Sequence, residues 1–367
     1  MGTSHKKLAV VVTGLVCCLG CGTSGGNTII SHLYYYYGPE DTLETLETSE
    51  INPENRALAD LEKAMVLLEL GRYEESLSAL RSADSRLEAV RTTPASRTSR
   101  SGYPPWQPEY HERVLASTVA MADSLALYDV VGAAAAADRA VAGIAEIGCE
   151  ECDFDFTRVL AALSYGGAGR FTDGIEVLSG VVVTGQGEDL INEIGRRLEL
   201  GTAGVQPEGL APPPVGSERF VVAILLLGGG PYKDVAKLEV SPDEAIRWCQ
   251  YLPRDFQPVE WAAMDLEDPA ISVEFTDVEE LAVSSLALRA QRVIAGEEVP
   301  VSPEKRDLRH WTSLPASLQL LVVDLPPETE VADLVYYSSD GFEIDREPIE
   351  VPSGWWGGPI YVTRRIP

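Results

Sequence analysis

The chain has 367 residues, of which 45% are hydrophobic and 23% are charged, so it can bury a core and is not disordered as a whole. Its 57 acidic residues outnumber its 29 basic ones, which leaves a formal net charge of −28. A surface that negative repels phosphate backbones, and the composition therefore argues against a protein that binds nucleic acid.

The N-terminal residues have the pattern of an export signal. Two lysines precede an apolar run over 8–19, which is too short to cross a bilayer core of about 30 Å as a helix. The run ends in CLGC (18–21), which resembles the lipobox of bacterial lipoproteins, where the thiol of the last cysteine carries a diacylglycerol. The resemblance implies a signal peptide over 1–20 and acylation of Cys21. A plain signal peptide cleaved nearby and a buried N-terminal strand are the alternatives.

The next part of the chain predicts helical hairpins, because apolar residues recur at helical spacing on both sides of Gly71. The segment Gly71-Arg72-Tyr73 resembles the turn and second-helix start of a tetratricopeptide repeat. A second copy, Gly169-Arg170-Phe171, lies 98 residues later (169 − 71), which is close to three periods of about 34 residues. Between the copies, 112–147 is predicted helical with a break at 129–132, out of phase with a strict period. The predicted array is therefore irregular.

Residues 92–108 (TTPASRTSRSGYPPWQP) interrupt the helices with Pro, Ser and Gly and predict a long loop. The loop carries a small basic group in an acidic chain, together with the aromatic residue Trp106. Two interpretations stay open. The loop is either a solvated connection or a docking loop for an anionic partner, with Trp106 as its anchor.

Beyond the signal segment, the cysteines are Cys149, Cys152 and Cys249. The CxxC at 149–152 lacks the second pair or the histidines of a zinc site, and its acidic neighbours would raise a thiol pKa instead of lowering it. We therefore predict no metal and no cofactor, and we expect a loop-stapling disulfide between Cys149 and Cys152 in an oxidising compartment. Free thiols and a catalytic redox pair are the alternatives.

A Pro- and Gly-rich linker at 205–217 separates this half from one with a different periodicity. The apolar run at 219–227 (RFVVAILLL) predicts a strand buried on both faces. Further strands are predicted at 232–240, 259–264, 271–275, 318–324, 331–337 and 360–364, with one helix at 276–295. Strands of this length between Pro/Gly turns are typical of a sandwich.

Together these elements predict an α+β protein, in which an irregular tetratricopeptide-like array of α-hairpins precedes a β-rich, sandwich-like domain with one helix. The predicted divisions are a signal peptide (1–20), a tether and N-terminal segment (21–50), a helical domain (51–204), the linker (205–217) and a β-rich domain (218–367). No nucleotide-binding loop spacing and no hydrolase motif is found, so no catalytic residue is assigned.

Two aromatic segments of the β-rich half are candidate ligand contacts. In DLRHWTSLP (307–315), Arg309 can pair with Asp307 or stack on Trp311, and His310 can titrate near neutral pH. Trp355 and Trp356 lie among glycines and resemble a flexible aromatic tip, whose indoles can stack on sugar rings or insert in a partner's pocket. For both segments the alternative interpretation is packing in the domain core.

The chain as a whole resembles a little-characterised family of bacterial envelope lipoproteins with tetratricopeptide-like hairpins and a β-rich C-terminal domain. The segments that carry the resemblance are 110–115 (YHERVL), 228–233 (GGGPYK) and 307–315. This family has no established reaction, although some members are associated with lipoproteins that activate cell-wall synthases. The resemblance therefore implies an architecture more than an activity.

The leading hypothesis is a lipid-anchored scaffold or adaptor whose helices present a concave groove to a periplasmic or outer-membrane protein. By resemblance to enteric lipoproteins, the glycine after Cys21 favours the periplasmic face of the outer membrane. One alternative is carbohydrate or peptidoglycan binding by the β-rich domain. Another is an enzyme, either a thiol-redox enzyme that uses Cys149 and Cys152 or a hydrolase that uses His310.

Overall fold

The computed structural model describes residues 38–92, 105–182, 186–202, 219–241, 244–252, 259–266, 270–297, 310–326, 328–351 and 358–366. The helices are α1 (Pro39–Thr48), α2 (Arg56–Glu69), α3 (Tyr73–Thr92), α4 (Tyr110–Ala126), α5 (Val130–Ile147), α6 (Asp155–Gly167), α7 (Phe171–Leu178), α8 (Gln186–Thr202) and α9 (Val278–Ile294). The strands are β1 (Arg219–Leu227), β2 (Tyr232–Ser241), β3 (Glu244–Leu252), β4 (Trp261–Asp265), β5 (Ala270–Ile271), β6 (Val273–Asp277), β7 (Ser317–Leu325), β8 (Val331–Tyr337), β9 (Glu343–Glu350) and β10 (Gly358–Ile366). Helices thus fill the first half and strands the second, which confirms the predicted fold class.

The described residues form two compact units, and each unit is assembled from three separate segments of the chain. The first unit draws on Met1–Glu109, Pro231–Pro253 and Ser285–Leu314, and the second on Tyr110–Gly230, Arg254–Ser284 and Pro315–Pro367. Composition predicts a boundary at 205–217, whereas contacts assign helices and strands to both units. The two divisions differ because buried hydrogen bonds and ion pairs connect residues far apart in the chain.

In the first unit, α2 packs between α1 and α3. Its apolar side chains are therefore buried on several sides, and Leu61, Met65 and Leu68 are almost completely shielded from solvent. Strands β2 and β3 form a separate antiparallel hairpin in this unit.

The second unit contains a β-sandwich. One sheet has the strand order β10-β1-β7-β6 and the other β5-β4-β8-β9. Their facing side chains share one apolar core, to which β1 contributes Val221, Ala223 and Leu225, and the opposite sheet Met264 and Tyr336. The sandwich-like arrangement expected from the short strands is therefore present.

The first sheet is covered on its other face by helices of the same unit. Helix α4 contacts β10, α6 contacts β6 and β7, and α8 contacts β6. The hydroxyl of Thr363 donates to the carbonyl oxygen of Ala122 at 3.1 Å, and the N–H of Phe156 donates to the hydroxyl of Thr276 at 3.2 Å. Because β1 lies between these layers, both its faces are buried, which explains its uninterrupted apolar sequence.

The sequence-based prediction omits two strands, β3 and β9. Strand β9 has the sequence EIDREPIE and forms an edge of the second sheet. Charged residues and proline are common on edge strands, where they oppose pairing with another chain. The same composition conceals the strand from a search for alternating apolar residues.

Candidate functional site: the helical hairpins and the buried charges

The two hairpin turns predicted from the sequence are present. Gly71 and Gly169 have φ angles of +69° and +75°, in the left-handed region that glycine adopts at least cost. In each turn, the N–H after the glycine donates at 2.8 Å to the carbonyl oxygen five residues earlier. This bond satisfies a carbonyl at the end of the first helix. The second helices, α3 and α7, then begin at Tyr73 and Phe171.

A third turn of this kind joins α4 to α5, where the sequence predicts a break but not a left-handed residue. Tyr128 takes the left-handed position with a φ angle of +57°, and the N–H of Asp129 donates to the carbonyl oxygen of Ser124 at 2.8 Å. The side chain of Asp129 then caps α5 by accepting a hydrogen bond from the N–H of Gly132. The break in the Ala-rich stretch therefore lies at 127–129, just before the predicted 129–132.

Arginine–carboxylate pairs follow both predicted turns. Arg72 pairs with Glu75, and Arg170 pairs with Asp173, each three residues along the helix. Arg170 also binds Asp138 at 2.9 Å. These side chains are exposed, so the pairs contribute little to stability and mainly orient the start of the second helix.

A small residue lies where the two helices of each predicted hairpin meet. Ser76 on α3 is buried, and its hydroxyl donates to the carbonyl oxygen of Ala64 on α2 at 2.9 Å. Gly174 holds the same position in the second copy. A Cβ at that glycine would lie 3.1 Å from the carbonyl oxygen of Ala162 and 3.2 Å from Cδ1 of Leu198. The approach of α7 to α6 and α8 therefore requires the missing side chain.

We expect Gly174→Ala to destabilise the protein by about 1–3 kcal/mol, because the added methyl group must displace a backbone oxygen or a buried leucine. Gly195→Ala on α8 is the matched control, since its Cβ would lie 3.6 Å from Leu178. Replacing this helical glycine by alanine, whose methyl group meets no clash, should stabilise the protein by about 0.5–1 kcal/mol. Urea unfolding followed by far-UV circular dichroism measures both changes. Equal changes in the two variants would contradict this account of the packing.

In the second unit, the protein's own sheet covers one face of the helical array. The first helices of the hairpins in the second unit, α4 and α6, pack on the first sheet together with α8. Arg197 of α8 also binds Asp324 of β7 at 3.2 Å and lies 4.1 Å above the ring of Phe220 on β1. The hypothesis that these helices offer an open groove to a partner is therefore corrected. Their remaining neighbours, α5 and α7, and the turns provide the array's other surface.

Exposed apolar side chains mark the turn between α4 and α5. Val131 is 74% exposed and Tyr128 is 44% exposed. The ring of Tyr128 is held edge-on against Tyr361, with 6.2 Å between the ring centroids. We call Tyr128 and Val131 the α4–α5 turn patch.

The aromatic residues predicted to contact a ligand are buried wherever the structure describes them. Trp106 and Trp311 are each 1% exposed, and His310 is also buried. The backbone N–H of Trp106 donates to the carbonyl oxygen of Glu54, and the indole N–H of Trp311 donates to the hydroxyl of Ser313. These residues belong to the core, so the prediction of a surface ligand contact is corrected for Trp106, His310 and Trp311. Removing two large indoles from water stabilises the fold, which favours their buried positions.

The other predicted site residues lie outside the described residues. They are the acylation site Cys21 and the candidate ligand contacts Arg309, Trp355 and Trp356. Their roles stay predictions.

A buried ion-pair network lies in the first unit. The carboxylate of Glu109 accepts a hydrogen bond from Lys233 at 2.6 Å and another from Arg289 at 2.7 Å. The side chains of Glu109 and Lys233 are only 5% exposed. Burial by itself would raise the pKa of Glu109, but the two positive charges outweigh it and lower the pKa to about 2. Lys233 is the last residue of the GGGPYK segment (228–233), and its partner in the structure is Glu109.

A second buried carboxylate of this unit binds two residues of the DLRHWTSLP segment (307–315). Glu62 of α2 accepts hydrogen bonds from the N–H and the hydroxyl of Thr312, each at 2.6 Å, and from the N–H of Ser313 at 3.0 Å. Burial raises the pKa of Glu62, although these donors oppose the shift. Sequence reasoning missed Glu62 and Glu109, because a single acidic residue in a helix or loop carries no signal of burial.

The turn between α5 and α6 contains a disulfide between Cys149 and Cys152, with an S–S distance of 2.01 Å. This is the pairing predicted for the CxxC in an oxidising compartment. Asp153 follows it, and burial together with the charge of Asp155 raises the pKa of Asp153 to about 6. Burial and neighbouring carboxylates likewise raise the pKa of Glu274 on β6 to about 7. Asp153 and Glu274 therefore take up protons at a higher pH than ordinary carboxylates do.

Within the part of the chain that the structure describes, no helix has both the length and the apolar character needed to cross a bilayer. The same residues contain no group of three or more His, Cys, Asp or Glu side chains that could hold a metal ion.

No family model and no curated protein matches the sequence. Among solved structures, a MamA RS-1 ArsTM double mutant aligns with 52% of this chain and 96% of its own, at 13% identity and a TM-score of 0.32. A likeness this low supports no conclusion about function.

Proposed function

We propose that the protein is a lipid-anchored adaptor of the bacterial envelope, which binds a partner protein through the α4–α5 turn patch and the adjoining helix α5. The partner is a periplasmic or outer-membrane protein, and the anchor is an acyl group on Cys21 at the periplasmic face of the outer membrane. The compartment rests on the lipobox-like segment and its resemblance to lipoproteins. The contact surface rests on the geometry of the hairpins.

The observation that carries the proposal is the α4–α5 turn patch. Three turns share one backbone geometry, yet two use glycine and the third uses Tyr128. A left-handed conformation costs a residue with a Cβ about 1–2 kcal/mol, so a tyrosine is an expensive choice at this position. Its half-exposed ring and the exposed Val131 form an apolar surface of the kind found at protein–protein contacts.

In intact cells, a photo-crosslinking amino acid at position 131 should capture one defined envelope protein. The same amino acid at Asp189, an exposed residue of α8, should not capture it. Val131→Glu should reduce co-purification of that protein at least about tenfold, because a charge would then have to be desolvated at the contact. Glu188→Gln, which changes one exposed charge on α8, should leave co-purification unchanged.

Capture of the same proteins from positions 131 and 189, or of none from 131, would refute the proposed contact. Point variants are preferable to deletion of the helices. Because α4, α6 and α8 cover the first sheet, a truncated chain would expose its apolar face and could not report on binding.

The alternative of carbohydrate binding rests on Trp355 and Trp356 and stays a hypothesis. The enzymatic alternatives also stay hypotheses. A redox enzyme would need the disulfide between Cys149 and Cys152 to cycle, and a hydrolase would need access to the buried His310.

A further inference from the structure

An aromatic pair lies on the side of the second sheet that faces away from the sandwich core. Every second residue of β4 and of β8 faces the core, for example Met264 on β4 and Tyr336 on β8. The other residues of each strand face away from the core. Trp261 and Tyr337 are directly opposite each other on the outward side, and their rings stack with 4.1 Å between centroids and 11° between planes. Both side chains are partly exposed.

Charged side chains extend from this pair across the same side of the sheet. Arg346 of β9 is opposite Val335 of β8, and its guanidinium binds Asp265 at 2.5 Å, Asp333 at 3.0 Å and Glu343 at 3.1 Å. All four charged side chains are exposed to solvent. Three carboxylates share one guanidinium, so the cluster keeps an excess of negative charge. We call the two aromatic and four charged residues the outer face.

Exposed apolar side chains are concentrated at the margins of the outer face. Phe342, at the turn between β8 and β9, is 72% exposed. Ile271 of β5, Val331 of β8 and Ile344 of β9 are also exposed. These four are close to half of the nine exposed large hydrophobic side chains among the described residues. Such clustering is typical of a contact surface.

Strand β9 is an edge of this sheet, but its chemistry disfavours the addition of another strand. The N–H of Val351 donates to the carbonyl oxygen of Glu330. Every second residue of β9, counted back from Val351, therefore directs its backbone groups toward β8. The backbone groups of the alternate residues, including Pro348, point away from β8 toward the open edge of the sheet. Proline has no N–H to donate there. This edge therefore favours recognition through side chains over the addition of a strand.

We propose that the outer face binds a basic segment of a partner protein, with arginine or lysine side chains placed against Trp261 and Tyr337 and paired with the carboxylates that Arg346 only partly neutralises. Aromatic rings attract cations, and complementary charge both selects and orients a partner. Arg346 shows that a guanidinium fits among these carboxylates. A neutral glycan fits less well, because it would leave the excess negative charge without a partner. The inference goes beyond the proposed function, since it concerns a surface other than the α4–α5 turn patch.

The test uses the full-length chain and a fluorescent octapeptide of alternating arginine and valine, with binding followed by anisotropy at low salt. The double variant Asp265→Asn, Asp333→Asn should weaken binding about three- to tenfold, because two exposed charge pairs are lost. Arg346→Gln should strengthen binding about two- to fivefold, because it removes the competing guanidinium. These opposite signs distinguish an engaged surface from a general loss of structure.

The matched control is Glu188→Gln, Asp189→Asn on α8, which changes the net charge of the protein equally and should leave the affinity unchanged. A peptide of alternating glutamate and valine should not bind. An equal loss in the control variant, or no binding of the arginine peptide, would overturn the inference. Binding of an N-acetylglucosamine tetramer that is abolished by Trp261→Ala, without binding of the peptide, would also overturn it in favour of a glycan site. Crosslinking from position 131 tests the adaptor function separately, so either idea can fail alone.

Discussion

Replacing Glu109 by alanine is expected to destabilise the protein by about 3–5 kcal/mol, since it removes the shared carboxylate of two buried cations. Lys233 is as deeply buried as Glu109, and Arg289 is mostly buried. Urea unfolding at neutral pH measures the loss. Glu75→Ala, which breaks the exposed pair with Arg72, should change stability little.

The double variant Glu109→Leu, Lys233→Met should recover much of that loss, because a buried ion pair can often be replaced by apolar side chains of similar volume. A loss no larger than that of Glu75→Ala would show that the buried network does not support the fold.

The pH dependence gives a further check on Glu109. Its folded pKa of about 2 lies below the ordinary value of 4.5, so its contribution is complete above pH 4.5 and disappears as the pH falls toward 2. Glu109→Gln should therefore lose less stability than the wild type over this acidic range.

Glu62→Ala is expected to cost about 2–4 kcal/mol, because it leaves two buried backbone N–H groups, those of Thr312 and Ser313, without their acceptor. Glu47→Ala, which breaks an exposed pair with Lys63, should cost at most about 0.5 kcal/mol. Hydrogen exchange at Thr312 and Ser313 locates the effect. Unchanged protection of these two amides in Glu62→Ala would contradict the role of the carboxylate.

The two buried carboxylates should respond to pH with opposite signs. The pKa of Glu62 is raised by burial, so its folded state binds a proton more readily than the unfolded chain does. Its contribution to stability is therefore greatest at low pH and declines as the pH rises through the folded pKa. Comparing the pH profiles of the Glu62→Gln and Glu109→Gln variants separates the two groups.

Features that depend on neighbouring residues were predictable from the sequence. The turns at Gly71 and Gly169 need a left-handed residue followed by an aromatic one, and these residues are adjacent in the chain. The disulfide joins residues three apart. Strand β1 was also predictable, because burial of both its faces leaves an uninterrupted apolar run.

Features that depend on distant residues were not predictable. Glu109 and Lys233 are 124 residues apart, and Glu62 and Thr312 are 250 apart, so no local pattern links them. Tyr128 gave no sign of a left-handed turn, because tyrosine rarely adopts that conformation.

The amino-acid sequence by itself determined the class of architecture, the positions of two hairpin turns and a strongly acidic surface, because periodicity, glycine and charge act locally or additively. Only the tertiary structure decided which surfaces remain open. The first sheet of the second unit covers one face of α4, α6 and α8, and Trp106 and Trp311 are buried. Burial is a property of the neighbours that long-range packing brings together, and a residue's own type does not specify them.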